Sequence, residues 1–228
     1  MHKPHLVYFA DPMCSWCWGF SPVIEAISEQ FGTSLPIRLV MGGLRPLTKS
    51  PMTAHDRGDV RNHWEHVHEA SGQPFDLAFF DRERFVYDTE PPSRAVVVLR
   101  RRGMETGLAA LRRIHRAFYA ENRDVTDTDT LAALAAELGV DATTFRDEFG
   151  SEAAMEETHS DFAIAQSAGI RGFPTLIASE GDDNQYSLVT HGFQPEGRIL
   201  PAVERWFGKT AAMSTAESLK KNALAPGN

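Results

Sequence analysis

Leu6, Val7, Tyr8, Phe9 and Ala10 form an unbroken apolar run that stops at Asp11-Pro12, the pattern of a buried strand over His5–Ala10 ended by a turn. From Cys14 the period changes. Phe20, Val23, Ile24, Ile27 and Phe31 recur at three- to four-residue spacing before Gly32, which predicts an amphipathic helix over 14–31 with a glycine cap. Residues 35–41 are again β-prone and end at Gly42-Gly43, so the first 43 residues predict a β-α-β unit with parallel strands and a right-handed crossover. The pattern then turns helical over 53–70, 92–102, 107–120, 127–138, 141–149 and 151–168, with start signals at Asp127 and at Ser93 behind Pro91-Pro92. Strand patterning returns over 175–178 and 186–189, around a polar hairpin turn, Glu180-Gly181-Asp182-Asp183-Asn184. A closing helix is expected over 195–207. Residues 209–228, with Lys209, Lys220 and Lys221 and no aromatic side chain, read as a flexible tail.

The order is α/β with an all-α interruption: 1–44 and 169–208 as one discontinuous domain, 45–168 as a helical insertion. At 228 residues, 42% hydrophobic and 24% charged, the chain has the mix of a globular protein with a sizeable core. Its net charge of -8 argues against a nucleic-acid partner, because phosphate-backbone binding needs a cationic surface. The apolar run near the start is shorter than a signal-peptide core or a membrane span, so the chain is expected to be cytoplasmic, with no membrane partner. Seven Arg between 94 and 116 and ten acids between 127 and 166 are expected to face each other or solvent. His63 and His66 share a helix face, but no HExxH pattern or carboxylate triad accompanies them, and no metal site is expected.

Chemistry enters with the only two cysteines, Cys14-Ser15-Trp16-Cys17. A disulfide closing so small a loop removes little unfolded-state entropy, and zinc would need two further ligands, so redox chemistry is the favoured reading. A thiolate is the nucleophile in disulfide exchange, and a helix N-terminus sets unpaired N–H groups and about half a positive charge beside it. Cys14 is therefore the expected attacking thiol. Cys17, one turn later, is placed to attack a Cys14 mixed disulfide and release the substrate. Asp11 either takes the Cys17 proton or serves as a turn cap.

The β-α-β start carrying Cys14 and Cys17, the β-β-α finish opened by Gly172-Phe173-Pro174-Thr175, and the helices between them resemble a thioredoxin-like fold of the DsbA family. Within it, Asp11-Pro12-Met13-Cys14-Ser15-Trp16-Cys17-Trp18-Gly19-Phe20 and Gly42-Gly43-Leu44 resemble the FrnE-like protein-disulfide isomerases. The resemblance implies a thiol-disulfide oxidoreductase or isomerase acting on protein cysteines, with an unidentified recycling partner and no cofactor, glutathione being a candidate redox partner. It implies a cis bond before Pro174, which would face the cysteines, and a Phe173 backbone that pairs with extended substrate. Ser15 and Trp16, with Asp11, fall where the potential is tuned. Met13, Trp16, Trp18 and Phe173 are expected as an apolar substrate rim, with Thr175 beside them and core packing as the alternative for Trp18. Two alternatives stand: a glutathione-dependent transferase or isomerase of the kappa or hydroxychromene-carboxylate type, and a client-binding chaperone.

Overall fold

The computed structural model describes residues 3–181 and 186–223, with side chains to Thr210. Strand β1 (His5–Ala10) leads through the turn to helix α1 (Ser15–Phe31) and strand β2 (Ile37–Met41). Six helices follow: α2 (Ala54–Ser71), α3 (Glu90–Arg100), α4 (Met104–Tyr119), α5 (Thr128–Glu137), α6 (Ala142–Phe149) and α7 (Glu152–Ser167). Strands β3 (Thr175–Ser179) and β4 (Tyr186–His191) and helix α8 (Glu196–Ala223) complete the chain. The strand order is β2-β1-β3-β4, with β1 and β2 parallel and β1-β3 and β3-β4 antiparallel. This is the thioredoxin-like β-α-β and β-β-α order with helices inserted.

Alternation along β1 divides the core. Leu6, Tyr8 and Ala10 join the large cluster that holds α1, while Val7 and Phe9 turn to the other face and pack with Val40 and Ala165. The large cluster continues into the helical block, where the fully buried Trp64 is ringed by Phe75, Phe79, Phe80, Phe118 and Tyr119. Among the described residues no helix is long and apolar enough to cross a membrane.

The helix starts follow capping chemistry. Thr53 and Asp56 form a reciprocal box at α2, and Asp127, Asp141 and Ser151 accept backbone N–H groups at α5, α6 and α7. Helix α3 begins at Glu90, earlier than expected, because Pro91 and Pro92 sit in the first turn, where a missing N–H breaks no hydrogen bond. Helix α8 runs past Phe207 to Ala223 through residues read as tail; Ala, Met, Leu, Lys and Glu favour helix and no Gly or Pro intervenes between 209 and 223. The hairpin turn at Asp182, Asp183 and Asn184 lies outside the described residues. Strand β4 extends to His191 because Thr175 pairs with it.

The opposed charge blocks do face each other. Arg101 pairs with Glu157, Arg102 with Glu148 and Arg113 with Glu137. The most enclosed pair is Arg100 with Asp161, at 2.6 Å. Asp161 also accepts the Met41 N–H at 2.8 Å, and Arg100 donates to the Leu39 carbonyl at 2.7 Å, so α3 and α7 together grip the end of β2. Removing one partner of such a pair strands a charge away from water. Asp161→Ala is expected to destabilise the fold by about 3 kcal/mol, seen as a lower urea midpoint at unchanged slope.

Candidate active site

The site is built on the turn that ends β1. Asp11 is fully buried; one carboxylate oxygen accepts the Met13 N–H at 2.9 Å and the other the Leu44 N–H at 2.7 Å. Its carbonyl accepts the Cys14 N–H and the His115 Nε2–H, each at 3.1 Å. Burial pushes the Asp11 carboxyl up to about 6 even against the Leu44 and Met13 amides. The carboxylate oxygens cap the turn, and the same carboxyl faces Cys17.

Cys14 is the N-cap of α1, in extended conformation, and its carbonyl accepts the Cys17 and Trp18 N–H groups. No acidic residue occupies the first turn to compete with a thiolate there. The Cys14 thiol faces the Phe173 carbonyl at 3.5 Å. Cys14 is 6% exposed and Cys17 0%, both as free thiols. Burial, followed by the neighbouring Cys14 sulfur, drives the Cys17 thiol well above the usual range, with the Asp11 backbone amide opposing.

The loop facing the cysteines carries a cis Phe173-Pro174 bond. The Pro174 carbonyl accepts the Gly192 N–H at 2.7 Å, and the Thr175 hydroxyl donates to the Gly172 carbonyl at 2.8 Å. The Phe173 ring lies against Gly42: a Cβ there would fall 2.1 Å from the ring. A cleft of about 610 Å³ opens beside this contact, lined by Gly43, Leu44, Phe162, Arg171 and Phe173 among others.

Part of the expected apolar rim is differently placed. Met13 is buried, with its carbonyl accepting the Tyr87 hydroxyl at 2.6 Å. Trp18 is buried too, because its face of α1 turns to the helical block: the ring stacks on Tyr119 and the indole N–H donates to the Pro74 carbonyl. Thr175 is buried in its strand. Trp16 and Phe173 stay half-exposed, as does Ser15, and Trp16 packs on Phe193, 5.6 Å between centroids. His63 and His66 are exposed on α2.

Four buried groups beneath the turn belong to no motif in the sequence: Tyr8, Tyr87, His115 and Tyr119. His115 lies among Leu111, Ile114 and Phe118 at helical spacing, a signal that it faces inward. Burial pulls it down to about 4, so it is neutral. Since a carbonyl only accepts, Nε2 holds the hydrogen and Nδ1 the lone pair.

A thioredoxin family model matches residues 8–199. A candidate protein disulfide isomerase from Nitrosomonas europaea is similar at 36% identity and TM-score 0.84, over 91% of this chain and 99% of that one. The cytosolic disulfide reductase DsbM from Pseudomonas aeruginosa is similar at 30% identity and TM-score 0.69, over 94% and 99%; it has also been solved with GSH. The ClpXP adapter protein SpxH of Halalkalibacterium halodurans is 24% identical over 96% of this chain and 74% of its own length, and the chain spans 58% of the Bacillus subtilis SpxH.

The two buried groups that share the Asp11 carbonyl make opposite contributions to stability against pH. Asp11 has a raised folded pKa, so its contribution is full below about 3.8 and is lost as pH rises through about 6. His115 has a depressed one, so its contribution is full above about 6.5 and is lost as pH falls through about 4. Each is worth on the order of 3 kcal/mol, and over pH 4–6 they offset one another. His115→Gln, which keeps a donor for the carbonyl, should uncover the Asp11 slope. Urea unfolding at stepped pH is expected to show stability falling from pH 4 to 6 in the variant and nearly level in the parent.

Proposed function

The chain belongs to the thioredoxin family, in the DsbA-like form of its fold, and from that premise we propose that it is a thiol-disulfide oxidoreductase that reduces or isomerises disulfides of proteins in the cytoplasm. One observation carries the reading: Cys14 caps a helix N-terminus with its sulfur 3.5 Å from the Phe173 carbonyl of the opposing loop, and Cys17 lies one turn below it. The Cys14 sulfur, as thiolate at the helix N-terminus, attacks one sulfur of a substrate disulfide; a mixed disulfide forms and the other sulfur leaves as thiolate. Cys17 then attacks the Cys14 sulfur, closing the Cys14–Cys17 disulfide and releasing the second substrate sulfur. Run in reverse, the same steps oxidise a dithiol.

Substrate recognition is proposed at the Phe173 backbone, where an extended segment can add as a strand. Leu44 and Phe162 in the adjoining cleft, and the nearby exposed Leu47, suit an apolar neighbour of the substrate cysteine. Trp16 with Phe193 bounds the other side. The chemistry calls for no metal or organic cofactor. Glutathione is the proposed recycling thiol, supported by the GSH-bound structure of DsbM. The names of the SpxH relatives favour a second reading, a protein-binding adapter. It predicts that client binding survives loss of both cysteines.

Insulin reduction tests the first reading. Cys14→Ser is expected to lose activity at least a hundredfold, whereas Cys17→Ser should still attack and then accumulate a Cys14 mixed disulfide, visible by mass. Equal trapping by both variants would reverse the assigned roles. The potential of the pair, measured against glutathione, is expected between about -120 and -270 mV. Gly42→Ala should slow mixed-disulfide formation severalfold by displacing Phe173, with Cys14 still alkylated at the parent rate; unchanged formation would place substrate elsewhere.

A further inference from the structure

Resolution sets Cys17 a problem that the substrate-facing side does not solve. To attack, its sulfur must lose a proton, yet the residue is fully enclosed, and Asp11, the carboxylate that faces it, is fully buried too, so a proton passed to either still has to reach solvent. Once a mixed disulfide covers Cys14, the front of the site is shut as well.

Behind α1 the structure is open. A cavity of about 650 Å³ lies between α1 and α4, walled by Ile24, Leu108 and Leu111 among others, with no residue of the Phe173 loop in its lining. Its lining includes two side chains that are only 1% exposed, Tyr8 and His115, which places them at its inner end. Among the described residues neither the Tyr8 hydroxyl nor His115 Nδ1 has a well-formed protein hydrogen bond, whereas most buried polar atoms in a folded protein have one, and the phenol lies beside the Cys17 thiol. They are complementary, since Tyr8 can donate and the Nδ1 lone pair accepts. A water between them would have the polar partners a buried water needs, in a space far larger than the roughly 30 Å³ it occupies. Tyr8 also belongs to the β1 face on which α1 packs, in one cluster with Cys17.

We propose that this cavity is the proton outlet for Cys17, with the Tyr8 hydroxyl relaying the proton from the thiol to water held at the inner end by His115. The inference rests on the dithiol reading above. In the step, the Cys17 S–H proton passes to the Tyr8 oxygen as the Tyr8 O–H proton passes to water, so Tyr8 ends neutral and the proton leaves through the cavity. The Cys17 electron pair forms the bond to the Cys14 sulfur, and the Cys14–substrate bond breaks with its pair on the departing sulfur, which takes a proton from solvent. Tyr8 acts by relay and not as a phenolate, in keeping with a phenol that burial and the two cysteine sulfurs push well above its usual range.

The cavity wall keeps such water in exchange with solvent. Glu25 pairs with Arg112, and Glu121 with Arg113 and Arg116, so the charged lining is largely self-compensated and polar. Glu105 joins this wall, while Asp11 and Cys14 face Cys17 from the turn and the helix start.

The test separates the first chemical step from the second. A preformed mixed disulfide between Cys14 and a fluorescent peptide thiol is followed for peptide release across pH 5–9, in light and heavy water. Tyr8→Phe removes a hydroxyl with no partner, so its melting temperature should be at or above the parent's. Its release is expected to be at least fivefold slower near neutral pH, with a larger solvent isotope effect, while attack of Cys14 on the peptide disulfide keeps the parent rate. Ala109→Phe, at an exposed position lining the cavity, should slow release similarly by obstructing the outlet. Parent-rate release in Tyr8→Phe at every pH overturns the relay, and parent-rate release in Ala109→Phe overturns the cavity as its route. Failure of the parent to form a mixed disulfide at Cys14 would instead overturn the dithiol reading itself.

Discussion

A single buried carboxylate holds the site together. Asp11 closes the turn after β1 through the Met13 amide and the loop after β2 through the Leu44 amide, while its own carbonyl holds the start of α1 and the inner face of α4. Hydrogen bonds to a charged acceptor are worth roughly 1.5–3 kcal/mol each, and a buried carboxylate without them would be protonated or expelled. The sheet, the cysteine turn and the helical block therefore cannot shift independently. Asp161 plays the parallel part at the end of β2, and between the two carboxylates both parallel strands are fixed where they deliver their loops.

With α1 fixed, its two sides take different work. The front presents the N-cap sulfur of Cys14 to the Phe173 carbonyl of the opposing loop, the face at which substrate is proposed to enter. Behind it Tyr8, on the strand beneath α1 and beside Cys17, lines the cavity between α1 and α4. A dithiol needs this asymmetry: a second sulfur as open as the first would compete for substrate, and one sealed on all sides could not lose its proton. The helical insertion, through α4, supplies the back wall that a bare thioredoxin-like sheet and helix would lack.

Local chemistry made much of this legible. Apolar runs and period changes located β1, α1 and the six inserted helices, since each signal lies within a few residues of itself: Thr53, Asp127, Asp141 and Ser151 at helix starts, Gly32 at an end. Type and spacing singled out Cys14 and Cys17, and the family resemblance singled out Pro174. The failures concern which face of a helix the tertiary structure covers. Trp18 and Met13 look like an apolar rim beside a cysteine, but α4 and Tyr87 lie over them, more than 70 residues away along the chain. Tyr8 in a hydrophobic strand and His115 in an arginine-rich helix carry no local mark of function, because what distinguishes them is a shared cavity.

The front of the site is set by shape more than by hydrogen bonds. The Phe173 ring occupies the volume that any side chain at position 42 would need, and the same ring forms a wall of the adjoining cleft. The position of the Phe173 backbone and the width of the cleft are therefore one variable. On the proposed reading, a client whose side chain enters the cleft would press on the ring, and through the ring on the carbonyl that faces Cys14. Fit of the neighbouring residue is thus coupled to the approach of the sulfur, which lets an open groove favour one cysteine context over another without any charged contact.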